Sequence, residues 1–183
     1  FALCAGVLGM TGLSAWAGFM QRGFPKADDL VVLSGAAGGV GSLVVQMARI
    51  QGCRVIGIAG GEEKCEFIRQ LGCEHAIDYK NEDVPQRIAE LCPNGMDIYF
   101  DNVGGEILSA CLEHLAMHAR VVLCGSISEY TRDTPFGLQN YTRLRAVEGS
   151  MNGFFVYNFV DRFHEAMDQI AAWINAGELK PVQ

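Results

Sequence analysis

The pattern of apolar and polar positions between residues 30 and 59 predicts a strand, a helix and a second strand. Residues 30–33 form a continuous apolar run, which is typical of a strand buried on both faces. After a glycine-rich stretch, the apolar positions of residues 42–50 recur with helical spacing and fall on one side of the predicted helix. Residues 54–59 predict the next strand. This is a βαβ unit, whose right-handed crossover requires a parallel sheet.

The same alternation continues to the end of the chain. Gly72 is placed to cap one predicted helix, and Pro93 and Gly95 follow another. Strands and helices that alternate at this pace indicate an α/β fold, specifically a doubly wound Rossmann fold with a parallel six-stranded sheet and helices on both faces. The further predicted elements are helices at 62–71, 84–91, 106–116 and 160–176, and strands at 75–79, 96–103, 120–126 and within 145–159.

The first twenty residues carry no charge, so a membrane span has to be weighed against a buried helix. Glycines and a threonine interrupt the apolar stretch. A secretory signal would begin with Met and a basic segment, whereas this chain begins with Phe1. We therefore expect a buried helix and no membrane contact, and we expect the sequence to begin inside a longer protein.

Charge and cysteine usage narrow the classes of function. The net charge of −7 disfavours a nucleic-acid partner, which would require clustered Lys and Arg. The seven cysteines form no C-x-x-C pair, which argues against disulfides and structural zinc and predicts reduced thiols in a cytoplasmic protein. His114 and His118 have a spacing that can bind zinc on a helix, but Glu113 precedes the first histidine instead of following it. We therefore predict no metal site.

The strongest chemical signal is the glycine turn between the first strand and the first helix of the βαβ unit. It has the sequence AAGGVG, residues 36–41, which is a G-x-G-x-x-G fingerprint with Ala36 in the first place. Gly38 lets the backbone approach a pyrophosphate, and Gly41 lets the helix pack close to the strand. Backbone N–H groups at the helix start attract the phosphate charge. A turn selected for packing alone is the alternative, but it would need fewer small residues. The turn predicts a bound dinucleotide.

The position that would select between NAD(H) and NADP(H) holds no carboxylate. The acidic residue that binds the ribose 2′-OH is expected about 20 residues beyond the turn, where this chain has Gly60 and Gly61. Lys64 is the nearest cation, and Glu62 and Glu63 are expected to face outward. A carboxylate would repel a 2′-phosphate, so its absence favours NADP(H). The alternative is that Lys64 is a solvated helix lysine.

Seven motifs in order give the chain a family likeness: GMTGLSAW, SGAAGGVG, GEEK, DYK, YFDNVGG, CGSISEY and FFV. The chain resembles the zinc-free medium-chain dehydrogenase/reductase superfamily. Within it, the motifs are most similar to the group of prostaglandin reductases, leukotriene B4 dehydrogenases and bacterial curcumin reductases. The resemblance implies that residues 1–28 lead in from a catalytic domain that is not part of the chain. It implies an NADP-binding domain at 29–178 and the start of a return to the catalytic domain at 179–183.

The resemblance also implies which residues contact the cofactor. The glycine turn holds the pyrophosphate, Lys64 and Tyr79 reach the 2′-phosphate, and Asn102 contacts the cofactor after the fourth strand. The later motifs run beside the nicotinamide and hold its carboxamide. The implied cofactor residues are Gly38, Gly39, Val40, Gly41, Lys64, Tyr79, Asn102, Cys124, Gly125, Ser126, Ile127, Tyr130, Phe154, Phe155 and Val156. Tyr79 as a surface tyrosine, and DNVGG as a plain turn, remain alternatives.

The activity that the resemblance implies is NADPH-dependent reduction of the C=C bond of α,β-unsaturated ketones and aldehydes. Hydride passes from the nicotinamide to the substrate's β-carbon, and the enolate oxygen then needs a hydrogen-bond donor. The ribose 2′-OH is the implied donor, and Tyr130 is the candidate catalytic residue that orients it or relays a proton. Because the implied catalytic domain is absent, we expect the 183 residues to bind NADPH without turnover.

Two other functions remain open from the sequence. One is an NADPH:quinone reductase of the same superfamily, which shares AAGGVG and the lysine. The other is a non-catalytic Rossmann scaffold for protein interactions. The expected partners are a small-molecule enone or enal and a second copy of the chain, since the superfamily resemblance and the aromatic segment 151–159 imply a homodimer.

Overall fold

A computed structural model describes residues 6–181 and shows a single six-stranded sheet in which each pair of neighbouring strands is parallel. The strand order is β3-β2-β1-β4-β5-β6. The strands are β1 Leu30–Ser34, β2 Arg54–Ala59, β3 His75–Asp78, β4 Met96–Asp101, β5 Leu115–Leu123 and β6 Ser150–Gly153. This order reverses between β1 and β4, as a doubly wound sheet requires, and it confirms the predicted fold class.

Helices connect the strands and cover both faces of the sheet. They are α1 Met10–Gly18, α2 Gly39–Ile50, α3 Glu62–Leu71, α4 Val84–Leu91, α5 Gly105–Leu112, α6 Arg143–Ala146 and α7 Phe163–Asn175. A π-helical turn, Phe19–Gly23, continues α1, and a 3₁₀ helix, Val156–Arg162, precedes α7.

Alternate residues of each strand point to opposite cores. In β1, Val31 and Leu33 join the core under α1, α2, α3 and α7, whereas Leu30 and Val32 join the core under α4 and α5. Both faces of β1 are therefore buried, which explains its uninterrupted apolar sequence.

The uncharged N-terminal segment is a buried helix, as predicted. Trp16 and Phe19 are fully enclosed in the core that α1 shares with α7, and the Trp16 indole donates to the Gln169 side chain at 2.5 Å. Within residues 6–181, no helix is long and apolar enough to cross a membrane. Residues 1–5 of the predicted helix lie outside the described part of the chain.

The structure corrects the bounds of two predicted elements around β5. The helix predicted at 106–116 ends at Leu112, and Leu115 already belongs to β5, where it pairs with Met96 and is buried. The strand predicted at 120–126 spans Leu115–Leu123. The sixth strand, predicted within 145–159, is Ser150–Gly153. Its aromatic continuation folds back because Phe154 packs edge-on against Phe159, with ring centroids 6.2 Å apart.

Candidate functional site

A cleft of about 670 Å³ opens beyond the carboxyl ends of β1, β2 and β4. This is the edge of the sheet where doubly wound folds bind their ligands, because the connections diverge at the point where the strand order reverses. The cleft has a floor and two walls. The floor is the glycine turn after β1. Of the residues predicted to bind a cofactor, those that line the cleft are Gly38, Gly39, Val40, Gly41, Lys64, Tyr79, Asn102 and Ile127.

The floor is shaped by residues without side-chain bulk. A Cβ on Gly41 would lie 2.3 Å from the Gly35 carbonyl oxygen, so only glycine lets α2 begin this close to the turn. Gly35 has φ = 61°, a left-handed conformation that favours glycine. Helix α2 begins at Gly39, three residues before the predicted Ser42, so the fingerprint itself forms the first turn.

The start of α2 is open to an anion. Gly38 is its N-cap and supplies no side-chain hydrogen bond, and no acidic residue lies in the first turn. The first N–H groups of a helix have no intrahelical partners, and the helix dipole makes this end positive. The floor can therefore hold a phosphate by backbone contacts.

One wall of the cleft, the β2–β3 wall, consists of Gly60, Lys64 and Tyr79. The Tyr79 ring lies directly on Gly60, since a Cβ on Gly60 would approach its ring atoms within 2.7 Å. Lys64 lies in the first turn of α3. Glu62 and Glu63, in the same turn, are exposed and do not line the cleft, as predicted. A lysine and a tyrosine hydroxyl thus face the position that would hold an acidic residue in an NAD-binding site.

A carboxylate that the sequence analysis did not single out supports this wall from behind. Asp78, at the end of β3, accepts hydrogen bonds from the Gly61 N–H at 2.7 Å and from the Asn81 side chain at 2.6 Å. The Gly61 bond is the main reason that the pKa of Asp78 lies below its usual value. Asp78 does not line the cleft, so its charge is used to fix the Gly60–Gly61 turn.

A buried polar network joins the floor to the opposite side of the cleft. Asp101, which is 1% exposed, accepts from the Ser34 hydroxyl and the Tyr99 hydroxyl, each at 2.8 Å, and from the Gly104 N–H at 3.0 Å. Asn102 donates from its side chain to the Ser34 carbonyl at 2.8 Å. Burial raises the pKa of Tyr99 well above its ordinary value, so it serves as a neutral donor. The network fixes the end of β1 against the turn after β4.

The second wall, the β4–β5 wall, consists of Val103, Ile127, Ser128 and Arg132. It belongs to two connections that are hydrogen-bonded to each other. The Ser128 hydroxyl donates to the Val103 carbonyl at 2.7 Å, and the Ile127 N–H donates to the Asn102 carbonyl at 3.2 Å. Ser128 lies within the motif CGSISEY but was not named as a cofactor residue, and sequence analysis missed Arg132.

Four residues after β5 that were predicted beside the cofactor lie outside the cleft. Cys124, Gly125, Ser126 and Tyr130 line a neighbouring cavity of about 350 Å³ behind the β4–β5 wall. Tyr130 is 70% exposed there, and its hydroxyl lies 3.5 Å from the Ser126 N–H. Burial raises the pKa of the Cys124 thiol to about 12, and the nearby Asp101 adds to this effect, so the thiol is neutral at pH 7.

The segment FFV also lies away from the cleft. Val156 is buried in the core, and the Phe154 ring packs on Gly18, where a Cβ would approach it within 2.7 Å. Phe155 is 62% exposed and contacts Tyr157, with ring centroids 5.1 Å apart.

The two histidines that were weighed as zinc ligands do not share a helix face. His114 lies in the turn after α5, and His118 lies in β5 with φ = 62°. Among residues 6–181, no group of three or more His, Cys, Asp or Glu side chains has metal-binding geometry.

A known family model matches most of the chain, including strands β2 to β6 and helices α2 to α6. The model is that of the zinc-binding dehydrogenases, and it matches residues 39–172. The chain belongs to this family. The family's name refers to zinc, whereas the motifs of this chain and its relatives place it in the zinc-free reductase group of the medium-chain superfamily.

Relatives from bacteria and plants align with nearly the whole chain. It is 44% identical over 179 residues to the Bacillus subtilis protein YfmJ, whose name describes an NADP-dependent oxidoreductase; the match covers 95% of this chain and 53% of YfmJ. It is 36% identical over 180 residues to the NADP-dependent 2-alkenal reductase of Nicotiana tabacum, covering 97% of this chain and 52% of that protein. The chain spans about half the length of the curated relatives it matches.

A solved structure shares the fold closely. The structure of CurA from Vibrio vulnificus in complex with NADPH superimposes with a TM-score of 0.91 at 39% identity. The superposition covers 98% of this chain and 55% of CurA. The arrangement of six parallel strands around the cleft is therefore the nucleotide-binding fold of this dehydrogenase family.

Proposed function

We propose that this chain is the NADPH-binding part of a reductase that acts on the C=C bond of α,β-unsaturated ketones and aldehydes. One observation carries the proposal: the glycine turn, Lys64 and Tyr79 line a single cleft at the point where the strand order reverses. The names of the tobacco and Vibrio relatives support the substrate class and the cofactor.

The residues that line the cleft fit a dinucleotide with its pyrophosphate at the floor. The volume of about 670 Å³ lies within the usual range for ligand sites, roughly 300–1,000 Å³. The floor offers backbone N–H groups at the start of α2. The turn there is tight, since a Cβ on Gly38 would lie 3.2 Å from the Gly35 carbonyl oxygen. The floor would hold the pyrophosphate.

The β2–β3 wall would hold the adenosine end. In doubly wound folds, the ribose lies at the end of the second strand, which here is Ala59, followed by Gly60. Lys64 would pair with a 2′-phosphate, and the Tyr79 hydroxyl would donate to it. Asp78 keeps its oxygens turned toward Gly61, Lys80 and Asn81 and so leaves the phosphate position without a free carboxylate.

When bound, NADPH supplies the hydride. The chain's own residues bind and orient it, and Asn102 would contact it at the floor. Tyr130 is proposed as the residue that orients the proton donor of the enolate. Since its hydroxyl lies in the neighbouring cavity, this role requires the segment that carries Tyr130 to move toward the cleft when the substrate binds, after the dinucleotide is in place.

The domain limits, partners and location stay part of the proposal. Residues 29–178 would form the NADP-binding domain, between a lead-in segment at 1–28 and a return segment at 179–183. The exposed side chains of Phe155, Tyr157 and Val160 beside β6 favour a homodimer. Cys53, Cys65, Cys73, Cys92, Cys111 and Cys124 are free thiols, which favours the cytoplasm.

The test is NADPH oxidation with an aryl enone, with the matching saturated ketone as a control and with a quinone as a competing substrate. Deuterium at C4 of the nicotinamide should appear at the β-carbon of the saturated product. Reduction of the quinone without the enone would favour the quinone reductase instead. Absence of any dinucleotide binding would favour the scaffold. The deuterium transfer is measured on the full-length protein, since the 183 residues span about half the length of the relatives. The 183 residues alone are expected to bind NADPH in a fluorescence titration and to give no turnover in this assay.

A further inference from the structure

Arg132 is a second cation of the cleft, on the wall opposite Lys64. The charged side chains that line the cleft are Lys64, Glu106 and Arg132. Lys64 follows β2, whereas Arg132 lies in the connection that follows β5. Strand β1 and the glycine turn lie between these two positions, because the strand order places β2 on one side of β1 and β4 and β5 on the other. The two cations therefore flank the floor.

Glu129 and Phe136 hold the guanidinium of Arg132 in place. Its Nε lies 3.3 Å from a Glu129 carboxylate oxygen, and its Cζ lies 5.5 Å from the centroid of the Phe136 ring. Glu129 is itself fixed, since its other oxygen accepts from the Phe136 N–H at 2.7 Å. Beyond these contacts, within residues 6–181 the guanidinium donates no hydrogen bond to the protein. Its terminal N–H groups remain available to a ligand.

The ligand that fits this position is a diphosphate at the floor. The first turn of α2 offers backbone N–H groups but no basic side chain, so the floor itself neutralises little of a diphosphate's charge. A guanidinium matches two phosphate oxygens with parallel N–H groups, which a lysine ammonium does not. The 2′-phosphate is assigned to the far wall by Lys64 and Tyr79.

From this arrangement we propose that Arg132 binds the pyrophosphate of the dinucleotide and contributes affinity without selecting between NADPH and NADH. The inference rests on the proposed function, since it requires a dinucleotide in the cleft. It divides the two cations by role: Lys64 reads the 2′-phosphate, and Arg132 binds the part that both dinucleotides share.

The test is to titrate the purified protein with NADPH and with NADH by cofactor fluorescence, for the wild type, Arg132→Gln, Arg132→Lys and Arg145→Gln. Arg145 is an exposed arginine in α6 that does not line the cleft, so its variant is the matched control. Arg132→Gln should raise both dissociation constants about tenfold by the same factor. It should also weaken their dependence on salt, since one charged contact is lost. Arg132→Lys should recover part of the affinity.

The outcomes separate this inference from the proposed function. If the wild type binds neither dinucleotide, both the proposed function and the role of Arg132 are overturned. If the wild type binds but Arg132→Gln binds equally well, the inference alone is wrong. A loss confined to NADPH would also overturn it, because Arg132 would then read the 2′-phosphate. Thermal unfolding of Arg132→Gln should match the wild type, since the side chain is 38% exposed.

Discussion

The two walls of the cleft differ in how their side chains are held. Lys64 and Tyr79, on the β2–β3 wall, lie in the first turn of α3 and directly after β3. Ile127, Ser128 and Arg132, on the β4–β5 wall, lie in the long connection between Leu123 and Arg143. The structure places the first set in the cleft, whereas part of the second region, including Tyr130, lies in a neighbouring cavity.

This difference follows from how each position is set relative to the sheet. A residue at the end of a parallel strand, or in the first turn of the helix that follows, is placed by the sheet itself. A residue far along a connection is placed by contacts that the local sequence does not specify. The ion pair of Arg132 with Glu129 and the bond from the Phe136 N–H to Glu129 are such contacts.

The largest expected effect comes from a substitution in the floor, which both walls share. Gly41→Ala would place a Cβ 2.3 Å from the Gly35 carbonyl oxygen, which is rigid backbone. We expect a loss of about 3 kcal/mol in the free energy of unfolding, together with loss of binding of both dinucleotides. Urea denaturation and fluorescence titration measure the two effects.

The matched control for the floor is Gly153→Ala in β6. No atom lies within 4 Å of a Cβ at Gly153, and its φ is not positive. Its stability should change by less than about 0.5 kcal/mol. Equal effects of the two substitutions would contradict the role given to the glycine turn.

The next largest effect comes from a substitution in the buried network that fixes the floor to the β4–β5 side. In the wild type, the Asp101 carboxylate accepts hydrogen bonds from the Ser34 hydroxyl, the Tyr99 hydroxyl and the Gly104 N–H. Asp101→Asn replaces one of the two accepting oxygens with an NH₂ group, which can only donate. The free energy of unfolding should fall by about 2 kcal/mol, and affinity for NADPH and NADH should fall by one common factor. The exposed Asp133→Asn is the control. A loss of affinity for NADPH alone would contradict this prediction, because it would mean that the network acts on the β2–β3 wall.

Lys64→Ala affects the β2–β3 wall alone. The dissociation constant of NADPH should rise about tenfold, because one charge-assisted contact is lost, while that of NADH should stay the same. Lys26→Ala, an exposed lysine that does not line the cleft, should leave both unchanged. If Lys64→Ala weakens NADH as strongly as NADPH, Lys64 does not read the 2′-phosphate.

A smaller effect on the same wall depends on pH. Because hydrogen bonds from Gly61 and Asn81 hold the pKa of Asp78 below its usual value, its carboxylate stabilises the fold above the unfolded pKa of about 4. That contribution is lost as the pH falls through the folded pKa. Asp78→Asn should therefore be less stable than the wild type at pH 7, and the difference should narrow at about pH 3. Urea denaturation at both pH values measures this, and an unchanged difference would argue against the ionised Asp78.

The smallest expected effect concerns the neighbouring cavity. Since Tyr130 does not line the cleft, Tyr130→Phe should change the dissociation constant of NADPH by no more than about twofold. A larger loss, measured by the same titration, would mean that the connection after β5 closes over the dinucleotide and brings Tyr130 into the cleft.

Much of the fold was predictable because burial on both faces of a strand leaves a direct pattern in the sequence. The run at 30–33 and the glycine turn fixed the βαβ unit. The sixth strand could be located only within 145–159, because Phe154, an aromatic residue of the kind typical of strands, packs instead on Gly18 and Phe159. This competition between strand and core packing depends on tertiary contacts.

The site was predictable where a single segment builds it and not where distant segments meet. Ser34 and Asp101 are hydrogen-bonded only because β4 lies beside β1 with Leu33 opposite Phe100. The role of Asp78 likewise depends on the pairing of Ala59 with Asp78 across β2 and β3. Strand order and register carry both contacts, and neither is written in the local sequence.

Calorimetric titration with two nucleotide fragments tests whether the β2–β3 wall is a preformed 2′-phosphate site. Adenosine 2′,5′-bisphosphate carries the 2′-phosphate but lacks the nicotinamide half. Adenosine 5′-monophosphate lacks the 2′-phosphate as well as the nicotinamide half. If the wall is such a site, the bisphosphate binds about tenfold tighter than the monophosphate or more. Equal binding of the two fragments, or binding of neither while NADPH binds, would contradict it.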